Sequence, residues 1–287
     1  MRERRAGPRA GGIPLRAVVP NAITALALCV GLSGVRFAIA GKWDLAVTMT
    51  VIAAVLDGMD GRIARALRGQ TRFGAELDSL SDVIAFGVSP AIIVHLWSLQ
   101  QWPRFGWLFA LAYAVCMALR LARFNARIDV EDQPHKSAGF LTGVPAPAGA
   151  GLLLLPIFLW VASDGRWEWL RDYRLITAWA ALCAFLAISN LATFSWGSLR
   201  LRRNIRLEAI VFIAILGGAL VSAPFETLSF AAIVYLAFIP FSIASYAKVK
   251  RQRVRAAPPL PLGEPVSALE TERPARRRRP PASAPSE

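Results

Sequence analysis

Four aspartates stand close together in one stretch of the chain and are the side chains best suited to chemistry. Asp57 and Asp60 are followed, after a gap, by Asp78 and Asp82. The segments around them are apolar enough to cross a membrane, where a carboxylate is costly unless it binds a cation or faces a polar cavity. Four such groups would repel one another unless divalent cations held them together. Their hard oxygen atoms favour Mg²⁺ or Mn²⁺ over zinc.

Helical spacing divides these carboxylates between two faces. At about 100° per residue, two sets of positions each fall on one side of a helix. The first set is Asp57, Asp60, Gly61 and Ala64. The second set is Gly74, Asp78 and Asp82. We therefore expect two helices whose carboxylate faces meet, with small residues leaving room for a ligand near the backbone.

Composition indicates what kind of protein positions these helices. The chain has 287 residues, of which 55% are hydrophobic, and a mean hydropathy of +0.44. These values are typical of an all-α, polytopic transmembrane helical bundle. The net charge of +14 must then lie in loops and tails. Because the arginines are not interleaved with aromatic residues, anionic membrane lipids are favoured as partners and nucleic acid is not.

Apolar segments predict about eight membrane spans. They run from about 17 to 40, 45 to 68, 75 to 97, 105 to 119, 143 to 162, 175 to 194, 207 to 221 and 225 to 247. Only a short segment, Ser222 to Glu226, separates the last two, so the count stays between six and eight. The first span is too long for a signal-peptide core and is interpreted as a retained helix.

Loop charges predict the orientation of these spans. With the N-terminus inside, the arginine-rich loops face the cytoplasm, as do both termini and the aspartate site. The sequence divides into a basic N-terminus (1–16), a transmembrane domain that carries the aspartates (17–250) and a Pro- and Arg-rich tail (251–287). The tail is too polar to bury a core and is predicted to be disordered.

The aspartate stretch resembles a known signature, that of the CDP-alcohol phosphotransferase family. The pattern D-x2-D-G-x2-A-R-x8-G-x3-D-x3-D matches at every fixed position from Asp57 to Asp82. The resemblance implies a membrane enzyme in which an alcohol displaces CMP from a CDP-linked lipid. It also implies two divalent ions, Mg²⁺ or Mn²⁺, and a homodimer.

The resemblance assigns roles to individual positions. The implied metal ligands are Asp57, Asp60, Asp78 and Asp82. Asp82 is also the implied base, which takes the proton from the acceptor hydroxyl. The implied CDP-binding residues are Asn21, Thr24, Asp60, Gly61, Ala64, Arg65 and Gly74. For Asn21 and Thr24, a local hydrogen-bonding role at a helix start explains the sequence equally well.

Two further segments bear on the acceptor alcohol. Phe73 to Pro90 and Arg120 to Asn125 resemble the bacterial membrane-type phosphatidylserine synthases. This resemblance implies CDP-diacylglycerol as donor, L-serine as acceptor and the bacterial inner membrane as location. Serine brings a carboxylate, which Arg120 and Arg123 could bind, whereas choline would favour an aromatic cage. A role of these arginines in topology or lipid binding stays open.

Two alternatives to serine transfer remain at this stage. Within the same reaction, the acceptor is glycerol-3-phosphate, inositol phosphate or choline. In a different class, the chain is a non-catalytic membrane protein that binds or transports cations through its carboxylates. Metal-dependent flux without any CDP-linked lipid would identify that second class.

Overall fold

The fold is described from a computed structural model covering residues 15–128, 140–142, 144–189, 192–194 and 206–256. The predicted basic N-terminus lies almost entirely outside these residues, as does the predicted tail beyond Ala256. The chain divides into two units, residues 1–245 and 246–287. The described part of the second unit consists of helical residues up to Ala256.

The described residues are almost entirely helical, which confirms the all-α prediction. The helices are α1 (Leu15–Ile39), α2 (Trp43–Ala66), α3 (Arg72–Asp82), α4 (Ser89–Trp97), α5 (Gly106–Ile128), α6 (Ala146–Ala162), α7 (Tyr173–Ile188), α8 (Arg206–Ser222) and α9 (Pro224–Ala256). Each predicted span corresponds to one helix, except that the third comprises α3 and α4. In this part of the chain, three helical segments are long and apolar enough to cross a membrane: Val18–Ile39, Arg72–Trp97 and Gly106–Ala126.

Three predicted helix ends were wrong. The sixth span was drawn to Phe194, but α7 ends at Ile188 because Ser189 adopts an extended backbone with φ −63° and ψ 148°. Beyond it, strand β2 (Ala192–Phe194) pairs antiparallel with strand β1 (Phe140–Thr142). Such short extended segments carry too few residues for a period-two pattern to reveal them. Conversely, α5 continues to Ile128 and α9 to Ala256, past the predicted ends of their spans at 119 and 247.

The third span is interrupted immediately after Asp82. Residues Val83–Val88 form a π-helical turn between α3 and α4. Pro90 has no N–H to donate to the carbonyl oxygen of Phe86, four residues earlier. The hydroxyl of Tyr113 in α5 donates to that oxygen instead, at 3.2 Å. A side chain from a neighbouring helix thus stabilises the break in the backbone ladder.

Helix α1 packs against the helices that carry the aspartates. Its most extensive contact is with α2, and it also contacts α3 and α4. Close approach depends on glycine: a Cβ added at Gly34 would lie 2.9 Å from the carbonyl oxygen of Ala46, and one at Gly31 would lie 2.9 Å from Cβ of Ala85. The two aspartate-bearing segments are therefore held in place from the side of α1.

Candidate functional site

Three of the four aspartates converge at one point. Asp57 and Asp60 lie near the end of α2, and Asp78 lies in the middle of α3. One carboxylate oxygen from each lies within 4.8 Å of those of the other two. The two faces expected from helical spacing therefore meet.

Asp82 lies beside this group but is not one of the three. It is the last residue of α3, and its carboxyl group contacts that of Asp57. Its Oδ1 atom is buried and has no hydrogen-bond partner among the residues that the structure describes. Buried polar atoms are nearly always hydrogen-bonded, so this atom suits a role in accepting a proton or binding a ligand.

The donor set fits a hard divalent cation. All three converging groups are carboxylates, the ligands that Mg²⁺ and Mn²⁺ prefer. Oxygen atoms on opposite sides of a Mg²⁺ ion lie about 4 Å apart. The separations of up to 4.8 Å would therefore need only a small side-chain adjustment to enclose such an ion.

Thr24 connects α1 to this acidic cluster. Its hydroxyl lies 2.5 Å from Oδ2 of Asp60, and both side chains are buried. Its carbonyl oxygen accepts a hydrogen bond of 3.3 Å from the hydroxyl of Ser81, between Asp78 and Asp82 in α3. Thr24 thus contacts Asp60 directly. The contact with the CDP group that the family resemblance implies stays a prediction.

The remaining residues assigned to CDP fall into two environments. A Cβ added at Gly61 would meet nothing within 4 Å, and Arg65 on the same helix is exposed, so both are open to a ligand. Ala64 between them is half-buried. At Gly74, an added Cβ would lie 2.7 Å from Oδ1 of Asn21, so this glycine allows α3 to pack closely on α1.

The two arginines assigned to the acceptor differ in what they contact. Arg120 is near enough to Asp82 for their charges to interact, and its Nε atom is buried without a hydrogen-bond partner in the described part of the chain. Arg123 donates from Nη1 to the carbonyl oxygen of Ile188 at 3.1 Å, at the end of α7. Arg120 thus lies within range of the charge of Asp82, whereas Arg123 joins α5 to α7.

Sequence reasoning missed two polar neighbours of the site. Asn125 in α5 donates from Nδ2 to the hydroxyl of Ser79 at 2.8 Å, next to Asp78. Tyr235 in α9 lies close enough to Arg120 to interact with its charge. The sequence offers a signal for Asn125, which is a polar residue close after Arg120 and Arg123. It offers none for Tyr235, because a tyrosine within an apolar span does not indicate which helix it contacts.

Comparison with known proteins agrees with this geometry. The family model described as CDP-alcohol phosphatidyltransferase matches residues 17–188, which include all four aspartates and both arginines. A second model, CDP-alcohol phosphatidyltransferase 2, matches residues 204–240. The chain belongs to the CDP-alcohol phosphatidyltransferase family, and it is a multi-pass membrane protein.

Similar curated proteins share one name, CDP-diacylglycerol–serine O-phosphatidyltransferase. The protein of that name from Mycobacterium tuberculosis (strain ATCC 25618 / H37Rv) is 37% identical over 234 residues, covering 79% of each chain. The one from Helicobacter pylori (strain ATCC 700392 / 26695) is 29% identical over 198 residues, covering 68% of this chain and 80% of its own. The one from Bacillus subtilis (strain 168) is 33% identical over 153 residues, covering 51% of this chain and 82% of its own.

Proposed function

We propose that the protein transfers the phosphatidyl group from CDP-diacylglycerol to L-serine, releasing CMP and forming phosphatidylserine. The observation that carries the proposal is that Arg120 lies near enough to Asp82 for their charges to interact, next to three converging carboxylates. A base and a cation near one metal-binding cluster suit an acceptor with both a hydroxyl and a carboxylate. Similar proteins of several bacteria carry the name of this activity.

The carboxylate cluster would bind the donor. Divalent cations held by Asp57, Asp60 and Asp78, with Asp82 nearby, would neutralise charge on the pyrophosphate and on the departing CMP. The open backbone at Gly61 would allow the cytidine diphosphate to approach α2 closely. Arg65, exposed one turn further on, would bind a phosphate.

Asp82 and Arg120 would act on the acceptor. The guanidinium of Arg120 would bind the carboxylate of serine and direct its hydroxyl toward Asp82. The serine oxygen forms a bond to the phosphorus that carries diacylglycerol, and the bond from that phosphorus to the CMP oxygen breaks. The hydroxyl proton passes to the carboxylate of Asp82. Arg123, bonded to Ile188, would hold this end of α5 in place.

We further propose the setting in which this reaction takes place. The arginine-rich loops favour an orientation with the aspartate site and both termini on the cytoplasmic side of the bacterial inner membrane. The transmembrane catalytic domain would cover residues 17–250 with flanking basic segments at 1–16 and 251–287, and the protein would act as a homodimer.

Acceptor-dependent CMP release tests this proposal. The purified full chain is supplied with CDP-diacylglycerol and Mg²⁺ or Mn²⁺, and CMP is quantified with serine, glycerol-3-phosphate, inositol phosphate or choline. We expect release with serine alone. Release with a different acceptor would keep the aspartate site but overturn the role of Arg120. If no acceptor gave CMP from protein that binds metal, the non-catalytic cation-binding alternative would replace the enzyme.

A further inference from the structure

Among the residues that the structure describes, Thr24 makes the shortest polar contact to the acidic cluster from outside it. Its side chain is 5% exposed, and that of Asp60 is 4% exposed. The hydroxyl oxygen lies 2.5 Å from Oδ2 of Asp60 and 3.1 Å from the carbonyl oxygen of Pro20, four residues earlier in α1. A threonine hydroxyl carries only one proton, so it can donate fully to one of these oxygens. The shorter distance, in the range of hydrogen bonds to carboxylates, indicates that Asp60 receives it.

The backbone of Thr24 is also engaged at the site. Its carbonyl oxygen accepts from Ser81, which is 4% exposed and lies in α3 between Asp78 and Asp82. One residue of α1 thus contacts α2 through its side chain and α3 through its main chain. Small displacements of α1 would therefore alter how the carboxylates of the two helices face each other.

We propose that Thr24 is a positioning residue that orients the carboxylate of Asp60 for cation binding. The proposal rests on the metal site of the proposed function. A hydroxyl that donates to a metal-binding carboxylate fixes its orientation, and losing such a partner typically lowers metal affinity about 10- to 100-fold. With its proton donated to Asp60, this hydroxyl has no proton left to donate to a phosphate oxygen of the nucleotide.

Mn²⁺ binding without substrate measures this role separately from catalysis. The purified full chain is titrated with Mn²⁺, and free Mn²⁺ is followed by electron paramagnetic resonance. Thr24→Val removes the hydroxyl at constant shape, and Thr24→Ser keeps it. Thr50→Val is the matched control, because Thr50 is also buried but its hydroxyl lies 3.5 Å from a carbonyl oxygen of its own helix, that of Ala46. Asp78→Asn reports on the metal site itself.

The positioning role predicts a specific pattern among these variants. Thr24→Val should weaken Mn²⁺ binding about tenfold or more, whereas Thr24→Ser and Thr50→Val should stay within about threefold of the unmodified protein. Unchanged binding in Thr24→Val would overturn the proposal. Equal losses in Thr24→Val and Thr24→Ser would also overturn it, because packing and not the hydroxyl would then matter.

Two further results separate the competing explanations. An increased KM for CDP-diacylglycerol in Thr24→Val, with unchanged Mn²⁺ affinity, would overturn the positioning role in favour of a direct contact with the nucleotide. Unchanged Mn²⁺ affinity in Asp78→Asn would overturn the metal site, and the positioning role with it. The failure of the underlying site is thereby distinguished from the failure of the role given to Thr24.

Discussion

At the scale of single residues, the four aspartates differ in what surrounds them. Asp60 is almost fully buried and receives the hydroxyl of Thr24, whereas Oδ1 of Asp82 is buried without a hydrogen-bond partner in the described residues. Asp82 also has a cation, Arg120, close by. These surroundings favour a fixed ligand at Asp60 and a group that exchanges a proton at Asp82.

The role of Asp82 predicts the effect of removing its charge. Asp82→Asn keeps the size of the side chain but cannot accept the serine proton, so CMP release should fall at least about 100-fold. Asp164→Asn is the control, because Asp164 is exposed and pairs only weakly with Arg166 at 3.6 Å. Both variants are assayed for CMP after their insertion into membranes has been verified. Normal turnover in Asp82→Asn would refute the assignment of the base.

The role of Arg120 predicts a change in the acceptor's affinity. Arg120→Gln removes the cation that would bind the serine carboxylate, so the KM for serine should increase about tenfold or more. The KM for CDP-diacylglycerol should change little. Arg36→Gln controls for the loss of one positive charge, because Arg36 is exposed and lies in the last turn of α1. An unchanged KM for serine in Arg120→Gln would mean that the acceptor carboxylate binds elsewhere.

At the scale of elements, the interrupted helix shows how local sequence shapes the site. The π-helical turn follows Asp82 directly, and Pro90 leaves the carbonyl of Phe86 without its usual donor. Tyr113, fully buried in α5, supplies that donor. The position of Asp82 at the end of α3 therefore depends on a contact made by another helix.

This dependence predicts a stability loss in Tyr113→Phe. The variant keeps the ring but leaves a buried carbonyl oxygen without this donor, so the free energy of unfolding should decrease by about 1–3 kcal/mol. Tyr173→Phe is the control, because the hydroxyl of Tyr173 accepts from the exposed Arg174 at 3.3 Å and no buried group is left without a partner by its removal among the described residues. Thermal unfolding in detergent compares the two. Equal melting temperatures for both variants would contradict the account of the interrupted helix.

Two glycines should respond in opposite ways to alanine. Gly34→Ala places a Cβ 2.9 Å from the carbonyl oxygen of Ala46 and should lower the melting temperature by separating α1 from α2. Gly61→Ala meets nothing within 4 Å. It should be neutral or stabilising by up to about 1 kcal/mol, since alanine favours a helix over glycine. Its KM for CDP-diacylglycerol should nevertheless increase, because the methyl group would occupy the space proposed for the nucleotide.

These glycine variants are assayed for melting temperature and for initial rates at varied CDP-diacylglycerol. An unchanged KM in Gly61→Ala would place the nucleotide away from this face of α2. Gly34 serves as the internal comparison. It lies in α1 and faces the backbone of α2, whereas Gly61 lies in α2 with no atom near its added Cβ.

At the scale of the whole molecule, hydropathy and helical spacing predicted the architecture well. Each predicted span coincides with helical residues, of which three segments in the described chain are long and apolar enough to cross a membrane. The meeting of two carboxylate faces follows from the spacing of Asp57, Asp60 and Asp78. The ends of helices were harder to predict. Helix α7 ends at Ile188 because Ser189 adopts an extended backbone, although the apolar composition continues to Phe194. Apolar composition cannot distinguish a helix from a short strand over three residues.

Contacts between distant helices could not be predicted from the sequence. Two such contacts join Thr24 to Asp60 and bring Tyr235 near Arg120. No local sequence pattern indicates them, because each depends on how separate helices pack. The assignment of Arg120 to the acceptor rests on the resemblance of the segment from Arg120 to Asn125 to phosphatidylserine synthases and on the carboxylate that serine carries. Local patterns thus identify the groups that can react, and packing determines which of them face one another.

The most direct test of the central claim is the lipid product formed from isotopically labelled serine. The purified full chain in liposomes is given CDP-diacylglycerol, a divalent cation and ¹³C-serine, and lipids and CMP are quantified together by mass spectrometry. We expect labelled phosphatidylserine in equal molar amount to CMP, with both abolished in Asp82→Asn. CMP formed without a serine-containing lipid would contradict the proposed transfer.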